Sequence, residues 1–206
     1  FVDLGRCSGI LPKDQIIPGE KLEMGSSVKV YVSKLEIGPK GPFIMLSRSH
    51  YGFVKRLLEI EIPELSDGTI MLYSVARDAG NRSKIAVYTE YTNVDPIGAV
   101  IGEKGRRIAN VLKELSGEKI DVILYDKDPV KFIANALSPA KDVKVSIKDE
   151  TKKEALALVN DKNLSLAIGK KGQNVKLASR LTHYKIEVKP EEQENTETTE
   201  ETSVEE

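Results

Sequence analysis

The sequence has no tryptophan, one cysteine and two histidines among 206 residues. A single cysteine, Cys7, makes neither an internal disulfide nor a zinc site, and such usage fits a reducing cytosol. His50 follows a strand end and His183 lies in a helix-to-strand turn, so each reads as a surface or capping residue. No run of histidine, cysteine and carboxylate has metal-ligand spacing. No Gly-x-x-x-x-Gly-Lys-Ser/Thr phosphate loop appears, and no serine has a partnered base in a recognisable pattern. No apolar run approaches the roughly 20 residues of a membrane helix, and no secretory signal is visible. Aromatic residues are 5% of the chain, which argues against a core built on large rings. These absences leave no signal for an enzyme, a metal protein or a membrane protein, and none for a cofactor.

What is present is charge, unevenly distributed. Residues 191–206 hold eight glutamates and no lysine or arginine, so the formal net charge of −1 becomes +7 over residues 1–190. A basic body with an acidic tail points to an anionic partner. The tail itself reads as a solvated, disordered end, and competition between it and an anionic ligand is the functional variant of that reading. The chain starts at Phe1, and Phe1-Val2-Asp3-Leu4 looks like the end of a strand already under way. A fragment of a longer protein is therefore expected.

Periodicity divides the body into three parts. Residues 1–47 read as β, with Val28, Val30 and Val32 alternating with polar neighbours as in a half-buried strand. A second strand follows at Phe43–Ser47, and Gly38-Pro39-Lys40-Gly41 between them reads as a hairpin turn. Ser49–Ile62 turns helical and stops at Pro63. Strands at Thr69–Ala76 and Lys84–Thr89 flank the turn Asp78–Asn81, and Asp95-Pro96 opens a short helix to Ile101. A helix at Arg106–Leu115 and a strand at Lys119–Tyr125 complete this unit. The second unit repeats the order. Asp128-Pro129 opens a helix to Leu137, and Val143–Lys148 with Glu154–Val159 makes a hairpin. A helix capped by Asp161 runs to Ile168, then come a helix at Gln173–Leu181 and a strand at Tyr184–Val188. Each copy predicts an α+β domain with a three-stranded sheet and helices on one face.

The repeat centres on two glycine loops, Gly102-Glu103-Lys104-Gly105 and Gly169-Lys170-Lys171-Gly172, 67 residues apart. The strands that close the units, Lys119-Ile120-Asp121-Val122 and Lys185-Ile186-Glu187-Val188, are 66 residues apart. One such glycine pair is cheap, but two in matching context mark a duplicated unit that grips single-stranded RNA. The first glycine lets the chain leave one helix and reverse. The second lets a sugar-phosphate approach the main chain, and the helix beyond directs free N–H groups and its positive end at the same place. The neighbouring strand edge and an apolar helix face then form a groove about four nucleotides long. The second loop is the more cationic, with Lys170 and Lys171 followed by Lys176 and Arg180. In the first, Glu103 is repulsive to phosphate, and Arg106 and Arg107 are expected to compensate.

These residues resemble the KH domain in its bacterial (type II) order, where the hairpin precedes the loop. The residues ahead of it resemble a truncated OB barrel of the S-one type. The order barrel, KH, KH is similar to a family of bacterial transcription elongation factors. The resemblance rests on Val2-Asp3-Leu4-Gly5-Arg6, Ile17-Pro18-Gly19-Glu20, Leu46-Ser47-Arg48-Ser49-His50, Ser74-Val75-Ala76-Arg77, Arg82-Ser83-Lys84-Ile85-Ala86-Val87, Asp95-Pro96-Ile97-Gly98-Ala99, Gly117-Glu118-Lys119-Ile120-Asp121 and Ala167-Ile168-Gly169-Lys170-Lys171-Gly172-Gln173-Asn174-Val175. It implies a multidomain chain: a partial all-β barrel at 1–48, KH units at 49–126 and 127–190, and the acidic tail at 191–206. It adds Arg48, Gln173 and Asn174 to the RNA-binding candidates, and it names no catalytic or metal residue. The implied partners are single-stranded nascent RNA, RNA polymerase and other elongation or antitermination factors in the cytoplasm, with no membrane. On this resemblance the family's N-terminal polymerase-binding domain is expected to lie outside this sequence.

Two other classes compete. Phosphorolytic exoribonucleases also join a KH unit to an S-one-type barrel, but with one KH copy placed before the barrel. Structural ribosomal proteins are usually far more basic.

Overall fold

The computed structural model describes residues 1–39 and 41–191; the tail from residue 192 on lies outside them. The N-terminal part is a four-stranded sheet of β1 (Val2–Asp3), β2 (Ser8–Ile10), β3 (Tyr31–Gly38) and β4 (Gly41–Ser47), ordered β1-β2-β4-β3. β1 and β3 are its edges, so among the described residues it does not close into a barrel. The alternation of Val28, Val30 and Val32 misplaced β3, which begins at Tyr31 and carries a bulge between Val32 and Lys34. Its apolar side chains are not half-buried either. Leu35 is 67% and Ile37 88% exposed on this edge strand.

Helix α1 (Tyr51–Glu61) buries Phe53, Val54, Leu57 and Leu58, and His50 caps it by accepting the Gly52 N–H on Nδ1 at 3.0 Å. The helix ends at Ile62, and Pro63, whose ring nitrogen cannot donate, opens a short helix α2 (Pro63–Ser66).

The first repeat comprises β5 (Met71–Asp78), β6 (Arg82–Tyr88), α3 (Pro96–Ile101), α4 (Arg106–Lys113) and β7 (Lys119–Leu124). The second comprises α5 (Pro129–Ala136), β8 (Lys144–Asp149), β9 (Glu154–Val159), α6 (Asp161–Ile168), α7 (Gln173–Thr182) and β10 (Lys185–Pro190). In each, a hairpin is antiparallel and the last strand lies parallel to the middle one. A parallel pair needs a long crossover, and the helix–loop–helix is that crossover. The Asp-Pro openings work as caps: Asp95 accepts from the Ile97 N–H and Asp128 from the Val130 N–H. Helix α6, however, is capped by Asn160, which accepts the Asn163 N–H at 2.9 Å; Asp161 is already inside the first turn.

The sheet of the first repeat is covered on both faces, not one. Ile85 and Val87 pack with Leu58 of α1, Val100 of α3, Val111 of α4 and Leu115 just beyond it. Ala76, Ala86 and Ile123 on the opposite face pack with Phe132, Ile133, Leu177, Ala178 and Leu181 of the second repeat. Burying one such large side chain contributes about 1.5–3 kcal/mol, so the two repeats adhere as a body. The short link between them adds rings: Tyr73 stacks on Tyr125 with centroids 3.9 Å apart, and Phe132 meets Tyr125 edge-on at 5.0 Å.

Lys84 of β6 lies on this second face and is fully buried. Its Nζ donates to Asp121 at 3.1 Å and to the Ser138 carbonyl at 2.7 Å, tying the first sheet to the second repeat. Arg82 donates twice to the same carboxylate. Burial alone would raise the Asp121 pKa, but the bonds from Arg82 and Lys84 outweigh it and hold the carboxyl below its ordinary 3.8. Between the folded and unfolded pKa values the unfolded chain binds more protons, so stability falls with acid. The contribution is complete above about pH 5 and is lost as pH drops below about 4 through the folded pKa. Asp121→Asn is expected to lower the melting temperature at pH 6 and to flatten its decline between pH 5 and pH 3. An equally steep acid decline in the variant would refute the assignment.

Candidate nucleic-acid interface

The two glycine loops have one backbone. Gly102, Lys104 and Gly105 take φ of 74°, 52° and 72°, and Gly169, Lys171 and Gly172 take 75°, 53° and 74°. In each, the N–H of the second glycine returns to the carbonyl of the first, at 3.0 and 3.1 Å. Gly105 and Gly172 then stand as left-handed N-caps of α4 and α7 without a side-chain cap, which leaves the first-turn N–H groups directed outward.

The two glycines of a loop do different work. A Cβ at Gly102 would stand 2.7 Å from Arg107 Cγ, and one at Gly169 2.7 Å from Asn174 Cβ. The first glycine therefore lets the following helix close against the loop. A Cβ at Gly105 would meet nothing within 4 Å, and at Gly172 only Lys176 Cε at 3.7 Å. The second glycine faces open space, where a backbone phosphate has room.

The structure sorts the candidate side chains into two groups. Glu103, Lys104, Arg106, Lys170, Lys171, Lys176 and Arg180 are exposed around the loops. Arg107 and Asn174 are staples instead. Arg107 donates to Glu64 at 2.9 and 3.0 Å and to the Ala99 carbonyl at 2.9 Å. Asn174 is 5% exposed and its amide donates to the carbonyls of Leu137, Leu166 and Ala167. Ala99 and Leu166 occupy the same place in the repeat, so in both units the second residue after the loop ties back to the helix before it. Gln173 reaches across the repeats, donating to Asp78 at 2.7 Å.

Arg48 is also structural. It is 3% exposed, pairs with Glu20, donates to the Glu114 carbonyl at 3.0 Å and lies over the Phe53 ring at 4.9 Å. A side chain so enclosed locks the N-terminal sheet to the first repeat and cannot meet RNA. Burial would raise the pKa of Glu20, but the Arg48 and Ser116 bonds hold it below the usual range.

With Arg107 drawn to Glu64, the first loop keeps Lys104 and Arg106 against Glu103, with Lys113 further along α4 at the place of Arg180. The second loop and α7 have four exposed cations, Lys170, Lys171, Lys176 and Arg180. The apolar floor is present in both units: Ile101 and Leu124 flank the first loop's groove, Leu166 and Ile168 line α6, and all four are at least 36% exposed. Strands β7 and β10 are the sheet edges beside them. A separate cleft of about 720 Å³, lined by Ile97, Leu124, Asn135, Ala140 and Val143, spans both repeats.

A hairpin, a helix–loop–helix crossover and a loop of Gly-x-x-Gly form define a KH domain, here twice in tandem. Residues 48–125 match the model of the NusA-like first KH domain and residues 129–196 that of the NusA-like second KH domain. The chain belongs to the NusA family. It is 50% identical over 191 residues to the transcription termination/antitermination protein NusA of Halalkalibacterium halodurans, covering 93% of this chain and 50% of that protein. The proteins of the same name from Bacillus subtilis and Thermus thermophilus are 49% and 47% identical, over 93% and 90% of this chain and 51% and 48% of theirs. The chain thus spans about half the length of the curated relatives it matches.

Proposed function

We propose that this chain is the RNA-holding part of a bacterial transcription factor. It grips single-stranded nascent transcript and, within the longer protein, takes part in pausing, termination and antitermination with RNA polymerase and other elongation factors. It acts by binding rather than by catalysis, and its place of action is the cytoplasm. The observation that carries this reading is the pair of superimposable loops, each with its second glycine open to solvent and cations or N–H groups around it. Gly102, Glu103, Lys104, Gly105 and Arg106 would meet one stretch of backbone, and Gly169, Lys170, Lys171, Gly172, Lys176 and Arg180 the next. The names of the relatives and this chain's two KH-domain matches support the same reading.

The test is nuclease footprinting on an unstructured RNA. Two neighbouring protected stretches of about four nucleotides each are expected, one lost on substitution in each loop. Protection indifferent to both loops would overturn the proposal.

A further inference from the structure

We propose that the cleft between the two KH units at the second loop is a base-reading subsite, with Asp78 as its specificity-determining residue; this rests on the RNA-binding reading above. The cleft has a volume of about 470 Å³ and lies between the β5–β6 turn of the first unit and the face of α7 in the second. That volume is within the range of small-ligand sites, about 300–1,000 Å³. Lys170, Lys171 and Arg180 line it from one side, and Asp78 and Asn81 from the other.

The carboxylate is the informative group. Among cations placed for phosphate, an acid is repulsive to the same ligand. A carboxylate and a phosphate offer only acceptors, so a ligand group that meets Asp78 has to be a donor. Gln173 supplies one donor, to Oδ2 at 2.7 Å, and this bond also fixes the carboxylate's position across the two units. Among the described residues no side chain donates to Oδ1. RNA brings donors on the 2′-hydroxyl, on the amino groups of adenine, cytosine and guanine, and on the ring N–H of guanine and uracil; guanine alone sets a ring N–H and an amino group side by side, the pair that suits a carboxylate. Lysine and arginine then hold the phosphates on either side of the nucleotide, and the guanidinium plane of Arg180 offers a surface for the base. The subsite exists only because the two units are packed together, since neither contributes both the acid and the cations.

The experiment measures fluorescence-anisotropy binding of the full chain to a uridine oligomer of roughly twelve nucleotides, long enough for two four-nucleotide grooves. A single adenine, cytosine or guanine is walked along the same oligomer. One position is expected at which guanine tightens binding about tenfold over uridine, and more than adenine or cytosine does, and Asp78→Asn and Asp78→Ala are expected to erase that preference while leaving the melting temperature in place. The alanine variant covers the case in which the asparagine carbonyl still accepts. If both variants bind every oligomer more tightly by one common factor and the positional profile survives, Asp78 acts only through its charge and the subsite is refuted. If the chain binds no oligomer, the RNA reading falls and the subsite with it.

Discussion

Replacing Lys170 and Lys171 together by aspartate is expected to weaken binding of a short unstructured RNA by at least about a hundredfold at low salt. The salt dependence should flatten as well. Each phosphate neutralised on a single strand contributes roughly 0.7 to the slope of log affinity against log salt, so losing two lowers it by about 1.4. The fold should tolerate the change. Both lysines are exposed, and Lys171 sits at φ 53°, a left-handed conformation in which aspartate is among the better-accepted residues. Lys104→Asp in the first loop should cost less, because Glu103 already opposes phosphate there and Arg107 is held by Glu64. Titrations at several salt concentrations would decide it. An unchanged slope in the double variant would remove the second loop from the phosphate contacts.

The largest loss of stability is expected from Glu118→Ala. Glu118 is 1% exposed and accepts from Arg77 Nε and Nη2, from the Gly80 N–H at 3.1 Å and from Ser83 Oγ at 2.6 Å. Arg77 donates from Nη1 to the carbonyls of Arg48 and His50, which joins the first KH sheet to the chain leaving β4. Removing the acid strands a buried guanidinium and costs about 3–5 kcal/mol. For a chain of this size that is roughly 10 °C in melting temperature. Glu118→Gln, which still accepts from Ser83 and Gly80 but carries no charge, should fall between. Calorimetry or circular dichroism gives the answer, and a shift of under about 2 °C for the alanine variant would mean the network is not holding this junction.

Local order and loop position were legible because they depend on backbone chemistry that the sequence spells out. Glycine spacing, Asp-Pro openings and alternating hairpins each have one physical reading, and the structure puts both loops where they were expected. Partnership was less legible. Arg48, Arg107 and Asn174 are polar residues beside RNA-facing ones, and a one-dimensional reading cannot tell a solvated guanidinium from one clasped by Glu20 or Glu64. A usable signal did exist. Arg107 and Asn174 hold equivalent positions in the two repeats, and a site that accepts either a cation or an amide is more consistent with bonding to carbonyls than to phosphate. The burial of Lys84 was no more legible. Lys-Ile-Ala-Val reads as a strand with a polar face turned to water, yet that face is covered by the neighbouring repeat. Only tertiary packing reveals that. The exposure of Leu35 and Ile37 likewise depends on what covers that face of the sheet, which alternation does not encode.

Helix α7 presents its cations to solvent on one side and Leu177, Ala178 and Leu181 to the neighbouring sheet on the other. The distance between the two grips is therefore a constant of the architecture, not a variable of a hinge. On the functional reading above, the molecule behaves as a gauge. It favours transcripts able to stay stretched across that fixed interval, and it discriminates against those that snap into a stem within it.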